Sequence, residues 1–472
     1  MIKINKILLT QILSLISLFF CFSYTTYLPL SIPFYIVTLG SLFIFILYFH
    51  YKDLKNSFLL LLNKPNFKLF IILFIWILIS ILVSIFYQKF SIGEITRSVI
   101  GGFIFSIFLP YFLTFSVLSN FFDLKKISKI IFFILLIIYS FGLFDFIASH
   151  FNISLFGAII HFIKNKPSAT HGLDLSLFPR ISSFFQEPSH YAFFLIVTFP
   201  IIFKLSFSKI KLFNSSLIDI LAKRTTFLLM LFNLIAIQSP IFTIFFAIIL
   251  IIMGIKKIIQ LKPIKLLFIS NMFATVILFF IIAGLLNFIV FDFSSTFISR
   301  AINVLSLVKD HPLLAMYADE SFATRMVVYI NYFIIFLKHP LFGIGFGNLA
   351  GQITGQLSIS PIPLTPELMR VISNDYSGLA SSMLFRFLAE TGLVGTSILY
   401  SFFIFTLLML NKKIKFVQNS VKDLLIGFKY FIILIIFTSW YDSHINLPFI
   451  WVFIGFMQAI IANKTTFEDK MG

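Results

Sequence analysis

The residues of this chain that could do chemistry are a few carboxylates and guanidinium groups set between apolar runs. Arg180-Ile181-Ser182-Ser183-Phe184-Phe185-Gln186-Glu187-Pro188-Ser189 puts an arginine and a glutamate at the mouth of one such run. Further on come Arg300, then Ser321-Phe322-Ala323-Thr324-Arg325, then His339-Pro340-Leu341-Phe342-Gly343-Ile344-Gly345-Phe346-Gly347-Asn348. The last group is Arg386-Phe387-Leu388-Ala389-Glu390-Thr391-Gly392-Leu393-Val394-Gly395. A guanidinium offers five donors in a planar fork that matches phosphate oxygens two at a time and stays charged when partly desolvated. A lipid-linked phosphate calls for that. The competing reading pairs each arginine with a local carboxylate: Asp174, Glu187, Asp292, Asp319, Glu320, Asp375 or Glu390.

The elements that must hold these groups are set by the solvent. Of the 472 residues 59% are hydrophobic and only 11% charged, with mean hydropathy +1.03, so the chain has no ordinary water-facing surface and belongs in a bilayer. The net charge of +18 does not point to nucleic acid, because the lysines fall in short clusters between apolar runs. A single cysteine, Cys21, excludes an internal disulfide framework and a cysteine-based zinc cluster. Twelve runs suit helices that cross a hydrocarbon core: 7–24, 31–50, 69–88, 99–119, 130–149, 189–205, 225–238, 240–255, 266–290, 392–411, 424–440 and 447–462. The first resembles a signal peptide but lacks a small-residue cleavage site, so it is expected to stay as a span. The stretch 225–255 reads as two short helices or one kinked one. Two helices are favoured, because they leave Lys256, Lys257, Lys262 and Lys265 on the cytoplasmic side.

With twelve spans and both termini inside, lysine gathers in the cytoplasmic loops, whereas Arg97, Arg180, Arg300, Arg325, Arg370 and Arg386 all fall outside and only Arg224 inside. The expected layout is nine spans over 1–290 with an outer loop at 150–189, a large outer loop at 291–391, and three spans with a cytoplasmic tail over 392–472. Within the large loop, Thr324 to Leu337 reads as an interfacial or re-entrant helix, with Arg325 at its N-terminal end where unpaired amides would reinforce anion binding. His339-Pro340 ends that helix, Gly343, Gly345 and Gly347 read as a tight turn, and Leu349 to Tyr376 as a mobile lid. Pro188 suits the first turn of the helix after the outer loop. Tyr51 to Lys68 and Lys204 to Arg224 read as helices on the inner leaflet. Asp145 is the one acidic residue near mid-span. Asp442 and His444 are too few to define a metal site, and His171, His311 and His339 too scattered.

Taken in order and by side of the membrane, the motifs at 180–189, 325, 339–345 and 388–395 resemble O-antigen polymerases of the Wzy type, in the superfamily that also holds the O-antigen ligases. The resemblance covers nearly the whole chain. It implies an all-α, GT-C-like integral membrane glycosyltransferase of the bacterial cytoplasmic (inner) membrane, facing the periplasm or outside, with no metal and no cofactor. Its expected partners are polyprenyl-pyrophosphate-linked oligosaccharides, the bilayer, and a chain-length regulator and flippase of the same pathway. Ligases of the superfamily usually carry a His-Asn pair at the positions of Ser381 and Ser382, and this departure favours a polymerase. Breaking a glycosyl–pyrophosphate bond puts negative charge on the leaving oxygen, where fixed positive groups stabilise the transition state more than the ground state. Arg180, Arg325 and Arg386 are candidates for that task, with Arg300, His339, Gly343 and Gly345 as further substrate contacts. A carboxylate within reach of the acceptor hydroxyl takes its proton, with Glu187 the first choice and Glu390 the second.

Two other classes stay open. A flippase or transporter would place ionisable groups near mid-span and show related halves, whereas a scaffold would need every arginine and glutamate to be structurally paired.

Overall fold

The structure is a computed structural model that describes residues 6–22, 34–87, 97–151, 183, 185, 188–208, 210–237, 320–359, 364–365, 368–369, 382–417, 419–440 and 447–462. Among these residues there are helices and no strand. The cause is the solvent: in hydrocarbon a backbone must satisfy its own hydrogen bonds, which a helix does within one segment. The chain is an all-α integral membrane protein.

The helix α4 (Pro65–Tyr87) shows how sequence becomes span. Pro65 opens it, where a missing N–H costs nothing. Its 23 residues, at about 1.5 Å each, cover roughly the 30 Å of a hydrocarbon core. Phe67, Phe70, Leu73, Ile77 and Ile81 are buried, while Ile72, Ile75, Leu78, Leu82 and Ile85 on the other side are exposed and equally apolar. A helix apolar all round but packed on one side only has lipid on the other.

Before it come α1 (Lys6–Phe22), α2 (Phe34–Phe49) and α3 (Tyr51–Leu62); after it a π-helical segment, Arg97–Phe108, runs into α5 (Leu109–Phe121). Then follow α6 (Leu124–Phe151), α7 (Pro188–Ser206), α8 (Ser216–Ala236), α9 (Glu320–Lys338), α10 (Leu349–Ser358), α11 (Met383–Lys413), α12 (Asn419–Thr438) and α13 (Pro448–Ala462). Pro188 is the first residue of α7, as its type predicts. Ten of the twelve expected runs coincide with these helices; 240–255 and 266–290 lie outside the described residues. Among the described residues four helices are long and apolar enough to cross a membrane, or five if α2 and α3, bent by 107°, form one broken span.

In α13 every residue from Pro448 to Ile461 is buried, so this helix forms the centre of the bundle. It packs on α5, while α7 packs on α12 and α4 on α11. The aromatic side chains fill the space between: Trp451 meets Phe70, Phe402 and Phe403 at ring separations of 5.5, 5.7 and 6.1 Å.

Three expectations about local structure change. The inner-leaflet helix expected over 204–224 is divided by a loop, and α8 starts at Ser216, earlier than the apolar run suggests. Asp219 causes this by accepting the amides of Leu212 and Phe213 at 2.6 and 3.0 Å and pairing with Lys223 at 2.8 Å. Burial raises the Asp219 pKa, but Lys223 and the two amides outweigh it and hold the carboxyl below its ordinary value. Second, α9 begins at Glu320, which makes Arg325 its sixth residue, beyond the four unpaired amides of a helix N-terminus; the anion-binding reinforcement expected there does not apply. Third, residues 349–358 of the expected lid form α10. Leu349, Ile353 and Leu357 pack it into a second core with Val328, Tyr332 and Ile335 of α9.

Candidate functional site

Gly392 interrupts α11 with φ 68° and ψ −172°, a backbone region that is essentially glycine-only. A break leaves the last carbonyls of one helical piece and the first amides of the next without intrahelical partners. The turn after α9 supplies them. The Ile344 amide donates to the Ala389 carbonyl at 2.8 Å and the Gly345 amide to the Glu390 carbonyl at 2.9 Å. The Leu393 amide, first of the lower piece, donates to the Pro340 carbonyl at 2.8 Å. From α4, Trp76 Nε1 donates to the Thr391 carbonyl at 2.9 Å, and its ring stacks on Phe342 at 5.1 Å. Trp76 sits halfway along α4, so the break is level with the middle of that helix.

Close approach of two backbones explains the glycine at 343. Its φ is +68°, and a Cβ there would lie closer than 3.0 Å to the backbone of Glu390. His339, at the head of the turn, is half-buried; burial first and Lys338 second hold its imidazole below the ordinary pKa, so it is neutral near pH 7.

Around this backbone clasp lies one ion pair. Arg386 Nε donates to Glu390 Oε1 at 3.2 Å across one helical turn, with Glu390 fully buried and the Arg386 side chain 24% exposed. A buried carboxylate without a partner would cost several kcal/mol, so the guanidinium first of all neutralises Glu390. Arg325, partly buried, lies on α9, which packs on α11 through Tyr329 stacked on Phe385 at 5.5 Å.

The upper end of α11 is tied to α12. Ser382 caps α11 by accepting the Phe385 amide, while its own hydroxyl donates to the Ser439 carbonyl at 3.0 Å, as does the Leu384 amide. Ser382, at a position where the ligase pattern has a His-Asn pair, is thus occupied as a helix cap.

Four members of the motif at 180–189 are described: Pro188 and Ser189 open α7, and Ser183 and Phe185 precede it. Ser183 holds a left-handed φ of 50° and is buried. Its amide donates to Asp145 Oδ2 at 3.0 Å and its hydroxyl to the Ile138 carbonyl at 2.8 Å. Phe185, also buried, lies 5.5 Å from Tyr191, 5.2 Å from Phe194 and 6.0 Å from Phe449. Asp145 therefore anchors the segment between Arg180 and Glu187 from within α6. Asp145→Ala is expected to lower stability by about 1–3 kcal/mol by orphaning the Ser183 amide. Asp145→Asn, which keeps an acceptor oxygen, is expected to recover most of it in thermal unfolding of the detergent-solubilised chain.

Ser439 closes α12 and Phe449 opens α13, so the 183–185 contacts and the 382–393 clasp are tied to the same end of one helix pair. Gly343, Gly345, Arg386 and Glu390 come together, His339 joins them through its carbonyl, which accepts the Gly343 amide at 3.0 Å, and Arg325 lies on the neighbouring helix. Arg180, Glu187, Arg300, Asp442 and His444 lie outside the described residues. Sequence reasoning missed Trp76 and noted Ser382 only for its departure from the ligase pattern, because their bonds go to partners hundreds of residues or one helix away. It did single out Asp145, since an ionisable group in an apolar run is costly unless used.

No curated protein matches the chain. Residues 225–400, which carry Arg325, the 339–348 turn and the Arg386–Glu390 pair, match the family model Wzy_C, described as O-antigen ligase, and this match supports placing the stretch in the O-antigen ligase and polymerase superfamily, with a role in surface-polysaccharide assembly.

Proposed function

We propose that this chain polymerises polyprenyl-pyrophosphate-linked oligosaccharide repeat units into O-antigen or a related surface polysaccharide on the outer face of the bacterial cytoplasmic membrane. In this reading Arg180 and Arg325 grip the pyrophosphate leaving group, Arg386 stands at its edge while holding Glu390, and Glu187 takes the proton of the acceptor hydroxyl. Charge developing on the leaving oxygen is then met by guanidinium groups already in place. Glu390, fully buried and bound to Arg386, serves the frame of the site in preference to acting as base. The observation that supports the reading is the gathering of the 183–185 and 382–393 segments at one end of the α12–α13 pair. A flippase and a chain-length regulator of the same pathway are the expected partners.

The family description favours a second reading, transfer of finished glycan to lipid A core by a ligase. The employment of Ser382 as a helix cap, where the ligase pattern has a His-Asn pair, weighs for the polymerase. A deletion strain separates them when its surface polysaccharide is sized on a gel. One repeat unit on a completed core is the polymerase result; a core bare of repeats, with lipid-linked polymer accumulating, is the ligase result. Bare core with no outward-facing repeat units would mean a flippase. Complementation by Arg180→Ala, Arg325→Ala or Glu187→Gln is expected to fail at normal protein levels, and full complementation by all three would overturn the assigned roles.

A further inference from the structure

Beside the clasp is a cleft that the transfer chemistry does not use. It measures about 220 Å³ and is lined by Ile335, Lys338, His339, Ile344, Gln352, Gly355, Gln356 and Ile359. Its place follows from the fold. Ile344 lines it with one side while its amide binds Ala389, so cleft and ion pair share one short turn. On α10, Gln352 and Gln356 are four residues apart and therefore on one face. Gln356 is buried and held: its Oε1 accepts from Lys338 Nζ at 2.7 Å, and its Nε2 reaches Asn331 Oδ1 at 3.5 Å. A carboxamide whose oxygen is held by Lys338 is a prepared binding group, since its orientation is set before any ligand arrives, while its Nε2 is only loosely engaged. Gly355, between the two glutamines, has open space where a Cβ would stand.

We propose that this cleft is a sugar-binding subsite, taking one hydroxyl-rich ring of the lipid-linked glycan through Gln352, Gln356, His339 and Lys338. The proposal rests on the reading under Proposed function and adds to it a place for the glycan away from the phosphates.

The lining chooses the ligand. Carboxamides both donate and accept, as neutral imidazole does, which matches hydroxyls that do the same. With no carboxylate in the lining, a divalent cation has no ligand there, and one ammonium already bonded to Gln356 is a weak phosphate site. Ile335, Ile344 and Ile359 supply an apolar wall for the C–H face of a ring. The volume is below the roughly 300–1,000 Å³ of pockets that enclose a drug-sized molecule, so it suits a single ring and not a whole repeat unit.

Gly355→Phe is the direct test, because it fills the cleft from a helix position where nothing stands in the way and where glycine is a poor helix former. Gln352→Ala is the second variant and carries the test if the first fails to fold. The probes are the repeat-unit oligosaccharide released by mild acid from the lipid-linked pool of a strain lacking this chain, the intact lipid-linked unit, and inorganic pyrophosphate. Binding is followed on the full detergent-solubilised chain by saturation-transfer NMR, with thermal unfolding alongside. The expected result is that both variants bind the free oligosaccharide at least tenfold more weakly than wild type, with pyrophosphate binding and unfolding midpoint unchanged or the midpoint raised. Unchanged oligosaccharide affinity in both variants overturns the subsite, as does a wild-type chain that binds the lipid-linked unit but not the free oligosaccharide. If wild type binds neither, the functional reading itself fails and the subsite with it.

Discussion

Gly392→Ala is expected to destabilise the chain by about 3–5 kcal/mol and to abolish polymer formation. The backbone there has φ 68° and ψ −172°, and non-glycine residues held in such regions cost of order 1–3 kcal/mol each. To that is added a collision: an added Cβ would lie closer than 3.0 Å to the Leu341 carbonyl and the Phe342 amide, both backbone atoms of the turn that closes the break. Neither can retreat without loosening the Leu393–Pro340, Ile344–Ala389 and Gly345–Glu390 hydrogen bonds as a set. Steric and conformational costs thus fall on one atom, which is why the effect exceeds that of most single substitutions. Equilibrium unfolding in detergent measures it, with Gly355→Ala as the control. That substitution meets nothing within 4 Å and is expected to be neutral or mildly stabilising. Equal behaviour of the two alanine variants would remove the argument for the clasp.

The second large effect is at the ion pair. Arg386→Ala leaves Glu390 buried without its cation, and breaking a buried pair from one side costs about 3–5 kcal/mol. Replacing both partners by apolar residues of similar size, Arg386→Leu with Glu390→Met, is expected to recover most of that loss, since well-packed hydrophobic substitutes are often as stable as the pair. Unfolding midpoints of the two singles and the double give the coupling. Polymer formation is expected to stay absent in the double variant, because stability returns but the guanidinium does not. A double variant that is both stable and active would confine Arg386 to the frame.

The outline of the fold was legible because a bilayer imposes it. Long apolar runs between lysine clusters become helices whatever their packing, and the stop at His339-Pro340 follows from the geometry proline forces on its neighbour. The turn built on Gly343, Gly345 and Gly347 was legible as a turn, but its docking on Glu390 was not. Backbone pairing between residues some 45 positions apart leaves no period in either segment. Asp145 could be flagged from its cost in an apolar run, yet its partner, the Ser183 amide, could not. The start of α9 was missed because Glu320 to Ala323 lacks a strong apolar pattern. α10 was read as a lid because Gly351, Gly355, Thr354 and Ser358 dominate its composition. Its Leu349, Ile353 and Leu357, at intervals of four, already marked a helix face.

The clasp also separates what has to stay fixed from what is free to change. Backbone hydrogen bonds join Ile344 and Gly345 to Ala389 and Glu390, so the chain between them leaves and returns at one point, like a cassette clipped at its base. The excursion is not free along its whole length, because Leu349, Ile353 and Leu357 of α10 close the second core against Val328, Tyr332, Ile335 and Ala389. The face of α10 turned away from that core, with Gln352 and Gly355, can therefore change its side chains while the clip and the packing beside it stay as they are.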